Sequence, residues 1–244
     1  MIVFNDIDVN SIMQGLIFKA ACLWYIIGVM TEKDGYNDRE KLVDEAELIV
    51  FDMDGTLYEL DGEEGGFTGS SLCKQMFENT VSFIAVKEGV GCEKAEKIMA
   101  EALDYEVGMS VFLANRYGIT RKDCFDVTWN IDPNGIVQNF KEAVEVVRKL
   151  EGMGKTLILL TQAPSVWQKR VIEYIGLEGV FEMVVTGEEF GGKAEVMKGI
   201  LEEYKSLSML SVGDQLETDI EPALNLGMKA ILVESPADLA KWLQ

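Results

Sequence analysis

The sequence predicts an α/β fold in which helices cover a mainly parallel sheet. Short apolar runs rich in β-branched residues alternate along the chain with longer segments of helical periodicity. The chain has 244 residues, and 48% of them are hydrophobic, so it can form one large core and a smaller insertion. Alternation of strand and helix favours right-handed crossovers, and ligands of such folds bind at the carboxyl ends of the strands.

The first core strand is predicted at residues 48–51, which are all apolar, and it leads into a turn that carries two carboxylates. Asp52 and Asp54 follow the strand, and Gly55 and Thr56 then provide a tight turn and a hydroxyl group for a phosphate oxygen. Two neighbouring carboxylates repel each other and are costly to bury, and a divalent cation offsets that cost. Because oxygen ligands suit Mg²⁺, this strand end predicts a magnesium site.

Residues 1–45 form an extension before this strand, and residues 21–30 within it are apolar throughout. Three interpretations remain open: an extra helix packed on the domain, a membrane-associated segment, or an upstream start codon with Met30 as the true start. The segment before Lys19 has no basic residue and Lys19 interrupts the apolar stretch, so neither a signal peptide nor a spanning helix is expected. Residues 31–47 are charged and are expected to form a solvated linker or helix.

Residues 67–137 are predicted to form a helical insertion between the first and second strands of the sheet. Apolar residues recur there at helical spacing, and no alternation typical of strands is present. A glycine-rich stretch at residues 61–66 precedes the insertion and is predicted to be a linker. The helices are expected at residues 71–89, 93–107, 109–117 and 122–129.

The rest of the chain alternates between helices and strands, and polar residues follow the strand ends. Helices are predicted at residues 137–150, 193–203 and 235–243, with another after Pro164, and strands at residues 155–160, 182–186, 208–212 and 229–233. Thr161 and Gln162 follow the second strand, and Asp214 follows the fourth, five residues before Asp219. Lys193 comes after two glycines and opens a helix, where its ammonium group would offset a nearby negative charge.

The composition excludes several classes of function. A net charge of −20 disfavours nucleic acid and anionic membranes as partners, because they are also negatively charged. The absence of histidine excludes a Ser-His-Asp triad, histidine-ligated zinc and phosphohistidine chemistry, and it leaves acid–base catalysis mainly to carboxylates, Lys, Tyr or Cys. Cys22, Cys73, Cys92 and Cys124 lack Cys-x-x-Cys spacing and are predicted to be reduced thiols of a cytoplasmic protein.

Asp52-Met53-Asp54-Gly55-Thr56-Leu57 resembles motif I of the haloacid dehalogenase-like (HAD-like) hydrolase superfamily. In that motif the first aspartate attacks phosphorus and the second is the general acid and base. Members of the superfamily also have a Ser or Thr after the second core strand, a Lys near a later helix start, and a Gly-Asp pair followed by another Asp. Thr161, Lys193, and Asp214 with Asp219 stand at those positions.

The resemblance covers residues 46–236 and implies a Rossmann-like parallel sheet core with an inserted small helical cap domain. The expected boundaries are residues 1–45 for the extension, 46–66 and 138–244 for the core domain, and 67–137 for the cap domain. Within the cap, Tyr117-Gly118 and Ile131-Asp132 resemble the pyrimidine 5′-nucleotidase-like branch. Two positions depart from the usual pattern, since Gln162 stands where Asn is common and Ala194 where Pro is common.

The resemblance implies a role for each matching residue. Asp52 would attack phosphorus, Asp54 would act first as general acid and then as general base, and Lys193 would stabilise the transferring group. The residues expected to bind the phosphate are Gly55, Thr56, Thr161, Gln162 and Lys193. The residues expected to hold Mg²⁺, the implied cofactor, are Asp52, Asp54 through its backbone carbonyl, Asp214 and Asp219. Asp219 would act through water or by orienting Lys193.

The expected function is that of a Mg²⁺-dependent phosphatase that hydrolyses a small phosphomonoester through an aspartyl-phosphate intermediate. A nucleoside monophosphate is the first substrate expected, with phosphoglycolate or a sugar phosphate close behind. Asp54 argues against a dehalogenase, because a halide leaving group needs no proton. Two alternatives remain open: a phosphomutase with the same motifs, and a non-enzymatic binding protein that docks a partner through residues 1–47. No nucleic acid or stable membrane insertion is expected, and the sequence specifies no oligomeric state.

Overall fold

The computed structural model describes residues 35–62, 66–188 and 191–241 of the chain. The interpretations of residues 1–34, including Cys22 and a start at Met30, concern residues outside these ranges. Within them, no helix combines the length and apolar character needed to cross a bilayer. The first described element is helix α1, Gly35–Glu45, so this part of the charged segment before the first strand is a helix rather than a linker.

Five strands form a parallel sheet and two more form a separate antiparallel pair. In chain order the described strands are β1 (Leu48–Phe51), β2 (Glu59–Leu60), β3 (Val137–Gln138), β4 (Thr156–Leu160), β5 (Met183–Val185), β6 (Met209–Gly213) and β7 (Lys229–Leu232). The large sheet has the order β5-β4-β1-β6-β7, and β2 pairs with β3. The parallel sheet confirms the predicted α/β fold class.

Helices follow the strands and cover the sheet. After α1 they are α2 (Ser71–Glu88), α3 (Cys92–Leu103), α4 (Met109–Tyr117), α5 (Arg121–Thr128), α6 (Lys141–Gly152), α7 (Ser165–Ile175), α8 (Lys193–Glu203), α9 (Glu221–Asn225) and α10 (Pro236–Ala240). A short π-helical turn, Leu216–Ile220, lies between β6 and α9.

Strand β1 occupies the centre of the sheet, and its side chains alternate between two buried faces. Ile49 and Phe51 pack into the cluster that includes residues of α1, α6, α7 and α10. Leu48 and Val50 point the other way, into the cluster that includes residues of α8 and α9. Burial on both faces explains why this strand is apolar at every position.

The register of the central strands brings their carboxyl ends together. Phe51 at the end of β1 lies opposite Leu159 of β4 and Val212 of β6. The residues that follow these three strands therefore emerge side by side at one edge of the sheet. Asp52, Thr161 and Asp214 are among them.

The insertion between β2 and β3 consists of the four expected helices, α2 to α5. They surround an apolar cluster of their own, formed by Ile84, Ala95, Ile98, Ala102, Leu113 and Cys124 with partly buried neighbours. The hydroxyl of Thr120 caps α5 by accepting a hydrogen bond of 3.0 Å from the backbone N–H of Asp123. Helix α4 has the predicted bounds and α2 has the predicted start. The largest difference among these helices is at Leu103, where α3 ends before residue 107.

The prediction of a helix over residues 137–150 was wrong at its start. Val137 is buried and lies opposite Leu60 in the β2–β3 pair, and the helix begins only at Lys141. Asn139 between them has a φ of 51°, a left-handed conformation that separates the strand from the helix. The linker predicted at residues 61–66 is therefore preceded by a strand, β2, which the sequence did not indicate.

Candidate active site

Asp52 and Asp54 lie at the end of β1, in a turn that leaves no space for a side chain at Gly55. Gly55 has a φ of +80°, and a Cβ atom placed on it would lie 2.3 Å from Oδ2 of Asp214. The turn therefore lies directly against the carboxylate that follows β6. The positive φ and this close approach together favour glycine at position 55.

Lys193 is buried at the start of α8, between two carboxylates. Its Nζ donates a short hydrogen bond to Oδ1 of Asp52 and another, of 2.7 Å, to Oδ1 of Asp219. Burial lowers the pKa of Lys193, but the charges of Asp52 and Asp219 outweigh that effect and hold the pKa above its usual value. The ammonium group therefore stays charged beside Asp52.

Asp219 lies in the π-helical turn, where both of its carboxylate oxygens are engaged. Oδ1 faces Lys193, and Oδ2 accepts a hydrogen bond of 3.1 Å from the backbone N–H of Gln215. A Cβ atom at Gly213 would lie 2.4 Å from the same Oδ2. Of the two roles expected for Asp219, this geometry agrees with the orientation of Lys193.

Asp214 completes a cluster of three carboxylates. One oxygen each of Asp52, Asp214 and Asp219 lies within 4.8 Å of the other two. Oδ1 of Asp214 is buried and has no hydrogen-bond partner among the described residues. Burial, followed by the charge of Asp219, raises the pKa of Asp214 to about 6. A cluster of carboxylate oxygens that includes an unpartnered buried atom fits a hard divalent cation.

The pKa of the Asp52 carboxyl is raised well above its usual value, mainly because the group is buried. The charge of Lys193 acts in the opposite direction, and the charges of Asp219 and Asp54 raise the pKa further. A cation bound at the cluster would favour the ionised form of Asp52 in the same way as Lys193 does.

Asp54 has different partners from those of Asp52. Its Oδ1 accepts a short hydrogen bond from the hydroxyl of Tyr58, and its Oδ2 accepts one of 3.3 Å from Oγ1 of Thr161. Tyr58 in turn accepts a hydrogen bond of 2.9 Å from Nε1 of Trp167. Burial raises the pKa of Asp54 despite these bonds. Neutral donors therefore surround this carboxyl, whereas an ammonium group contacts Asp52.

Tyr58 and Trp167 were not among the residues expected in the site. Both are fully buried, and each also packs in the apolar core, as aromatic side chains usually do. Tyr58 follows Asp54 by four residues. This spacing indicates a contact between the two side chains only when the geometry of the turn is known.

The residues expected to bind phosphate lie around the two aspartates. Thr56 and Thr161 are buried, and the hydroxyl of Thr56 lies 3.5 Å from Oδ2 of Asp52. The backbone N–H of Thr56 donates a long hydrogen bond of 3.4 Å to the carbonyl of Met53. Because this bond is weak, the N–H could donate instead to a phosphate oxygen, which is a stronger acceptor. Gln162 is exposed beside Thr161. The strand ends, the start of α8 and the π-helical turn thus bring the catalytic and metal-binding candidates close to one another.

Comparison with known families decides the identity of the fold. The family model of haloacid dehalogenase-like hydrolases matches residues 46–227. The chain belongs to this family. The match spans the strand ends that precede Asp52, Thr161 and Asp214 and the helix start at Lys193, and it confirms the HAD-like resemblance.

Curated relatives of this HAD-like hydrolase are named as phosphatases. The chain is similar to phosphoglycolate phosphatase of Vibrio parahaemolyticus, with 26% identity over 186 residues that cover 74% of this chain and 80% of the relative. It is also similar to glyceraldehyde 3-phosphate phosphatase of Methanocaldococcus jannaschii, with 28% identity over 112 residues, 44% of this chain and 49% of the relative. Both names agree with the expected enzyme class, a phosphoric monoester hydrolase.

Solved structures of HAD enzymes also resemble the chain. One is a HAD family enzyme of Bacteroides thetaiotaomicron in complex with magnesium and inorganic phosphate. It shares 16% identity, has a TM-score of 0.49, and the similarity covers 82% of this chain and 100% of that chain.

Proposed function

We propose that this HAD-like hydrolase is a Mg²⁺-dependent phosphatase that forms an aspartyl-phosphate intermediate on Asp52. The observation that carries the proposal is the contrast between two neighbouring carboxyl groups. Asp52 contacts the ammonium group of Lys193, whereas Asp54 is held by the hydroxyls of Tyr58 and Thr161. Two carboxyls in such different surroundings suit a nucleophile and a general acid, respectively.

In the first step Asp52 attacks phosphorus, and a new bond forms between its carboxylate oxygen and the phosphoryl group. The ester bond to the leaving group breaks, and Asp54 donates a proton to the departing oxygen. In the second step Asp54 takes a proton from water, which attacks phosphorus and releases phosphate and the Asp52 carboxylate. Lys193 and the hydroxyls of Thr56 and Thr161 hold the phosphoryl oxygens during both steps.

The metal would be held by Asp52, Asp214 and the backbone carbonyl of Asp54. Asp219 would orient Lys193 through their hydrogen bond. When bound, Mg²⁺ would neutralise negative charge on the phosphoryl group and between the carboxylates. The unpartnered Oδ1 of Asp214 supports this assignment, because a buried carboxylate oxygen needs a donor or a cation.

For the substrate we propose a small phosphorylated metabolite. The names of the relatives favour a two- or three-carbon phosphate such as phosphoglycolate. The cap resemblance favours a nucleoside monophosphate, so both belong in the first substrate panel. The division of the chain into a core domain and a cap domain at residues 67–137, and a cytoplasmic location, are part of the same proposal.

The test is phosphate release from a panel of phosphomonoesters, with Mg²⁺ and with a chelator, for the wild type and two variants. Asp52→Asn is expected to lower turnover by at least about 10³-fold, because it removes the nucleophile while keeping the shape of the side chain. Asp44→Asn removes an exposed carboxylate on α1 and is expected to behave as the wild type.

Metal-dependent release that is lost only in Asp52→Asn would support the proposal. Turnover by purified Asp52→Asn close to that of the wild type would contradict the assignment of the nucleophile. Transfer of phosphate between positions of a sugar phosphate, without net release, would identify a phosphomutase instead.

A further inference from the structure

We propose that Tyr58, held in place by Trp167, is a positioning residue for Asp54. In this arrangement the hydroxyl of Tyr58 donates a hydrogen bond to Oδ1 of Asp54, so that Oδ2 is the oxygen that exchanges a proton with the leaving group. The inference deepens the proposed function and rests on it, since it concerns how the general acid is presented to the substrate.

The direction of the hydrogen bonds follows from the chemistry of their donors. An indole N–H can only donate, so the bond of 2.9 Å from Nε1 of Trp167 makes the oxygen of Tyr58 an acceptor. Tyr58 is fully buried, and its own proton needs a partner. Oδ1 of Asp54 is in hydrogen-bond contact with that hydroxyl. Tyr58 therefore donates to Oδ1, and this oxygen stays an acceptor in both steps.

The second oxygen of Asp54 has a partner that can adapt. Oδ2 lies 3.3 Å from Oγ1 of Thr161, which accepts a hydrogen bond of 3.0 Å from the backbone N–H of Ala163. A threonine hydroxyl can donate or accept, so it can face Oδ2 whether or not that oxygen carries a proton. Oδ2 is also on the side of Thr161, which is expected to contact the phosphate. The carboxyl is thus held by one fixed contact and one adaptable contact.

Packing fixes the orientation of this arrangement. Trp167 is fully buried in α7, and Tyr58 is fully buried in the turn after β1. Neither ring can rotate away without disturbing the large apolar cluster to which both belong. The hydroxyl of Tyr58 is therefore presented to Asp54 by the core of the protein, and the carboxyl is oriented before substrate binds.

The experiment compares leaving groups in Tyr58→Phe and Trp167→Phe. An alkyl phosphomonoester, the best of the panel described above, needs a proton on its leaving oxygen, whereas p-nitrophenyl phosphate has a leaving group that departs without one. The measured quantity is kcat/KM, which reports the steps up to departure of the leaving group. In Tyr58→Phe we expect the loss to be at least about tenfold larger for the alkyl substrate than for the aryl substrate. Trp167→Phe should show a smaller selective loss, and the double variant should be no worse than Tyr58→Phe alone.

The matched control is Tyr204→Phe, which removes a tyrosine hydroxyl that donates to a carboxylate, Glu182, at 3.0 Å on the surface. It should leave the ratio of alkyl to aryl activity unchanged. Thermal melting of each variant shows whether it is folded, and Trp167→Phe tests the proposal if Tyr58→Phe does not fold.

Asp54→Asn separates failure of this inference from failure of the proposed function. A selective loss of alkyl activity in Asp54→Asn, together with equal losses on both substrates in folded Tyr58→Phe and Trp167→Phe, would overturn the positioning role alone. Equal losses on both substrates in Asp54→Asn would overturn the acid role of Asp54, and the positioning role with it.

Discussion

Lys193 is a buried cation that pairs with two of the carboxylates of the site. Its burial is costly, and the contacts with Asp52 and Asp219 offset that cost. The carboxylates depend on the lysine in turn, because each would otherwise carry an uncompensated charge in the interior. The residue that we propose stabilises the transferring phosphoryl group therefore also stabilises the site without substrate.

Replacement of Lys193 by methionine should destabilise the protein as well as inactivate it. Removal of one member of a buried ion pair leaves unpaired charges, so we expect the free energy of unfolding to fall by about 3 kcal/mol in metal-free buffer. Urea unfolding followed by circular dichroism measures this change. Lys97→Met, which removes an exposed pair with Glu93, should change it by less than about 0.5 kcal/mol. A Lys193→Met variant as stable as Lys97→Met would contradict the structural role.

At this scale the sequence was sufficient for residues whose identity is tied to a motif. Asp52, Lys193 and Asp214 could be placed because each follows a strand end or opens a helix. Tyr58 and Trp167 could not, because their proposed role depends on a hydrogen bond between residues that are more than a hundred positions apart in the chain. An aromatic side chain in a buried segment has the same pattern whether or not its polar atom has a function.

The end of β6 shows how a strand and the turn after it position two carboxylates. Gly213 is the last residue of this strand, and the π-helical turn that follows folds Asp219 back over it. A Cβ atom at Gly213 would lie only 2.4 Å from Oδ2 of Asp219, so the turn packs against the strand in space that a side chain at position 213 would fill. The close contact lets one short segment supply both Asp214 and Asp219.

Gly213→Ala is therefore expected to displace the carboxylate of Asp219 and to lower kcat by about tenfold or more, because Lys193 loses one of its two partners. The matched change Gly199→Ala lies in α8, where a Cβ meets nothing within 4 Å. It should leave kcat unchanged and increase stability by about 0.5–1 kcal/mol through helix propensity. Steady-state kinetics and thermal unfolding of both variants test this pair. Equal activity in the two variants would show that the turn adjusts without moving Asp219.

The sequence predicted the strands of the large sheet because they are short continuous apolar runs, and it predicted the longer helices because apolar residues recur in them at helical spacing. The pair β2 and β3 was missed, since each has two residues and no period can be recognised over so short a length. For the same reason Val137 was assigned to the helix that follows it. The π-helical turn at Leu216–Ile220 was also not predicted.

For the whole molecule, the absence of histidine simplifies the dependence on pH. No side chain of ordinary pKa changes charge between pH 5 and 8 in a chain without histidine. Asp214 is an exception, because burial raises its pKa to about 6. Its carboxyl holds a proton below that value, and a cation bound at the proposed metal site would have to displace that proton.

The affinity of the proposed Mg²⁺ site should therefore fall as the solution is acidified. With a pKa of about 6 for Asp214, only about a tenth of the carboxyl is ionised at pH 5, so we expect binding about tenfold weaker than at pH 7.5. Titration calorimetry with Mg²⁺ at the two pH values, on the wild type without substrate, measures the effect. Equal affinity at both values would show that Asp214 is ionised throughout this range or does not contact the metal.

The β2–β3 pair also bears on how such proteins diverge. Glu59 lies opposite Gln138 and Leu60 opposite Val137, so the chain leaves the core and re-enters it on neighbouring strands. The segment between them, residues 61–136, can therefore change in length without altering the order of the sheet strands. The entropy cost of closing a loop grows slowly with its length, so a long insertion costs little more to close than a short one. If this segment is the substrate-selecting cap of the proposed function, a change in its length or sequence would alter recognition while the reacting groups at the strand ends stay in place.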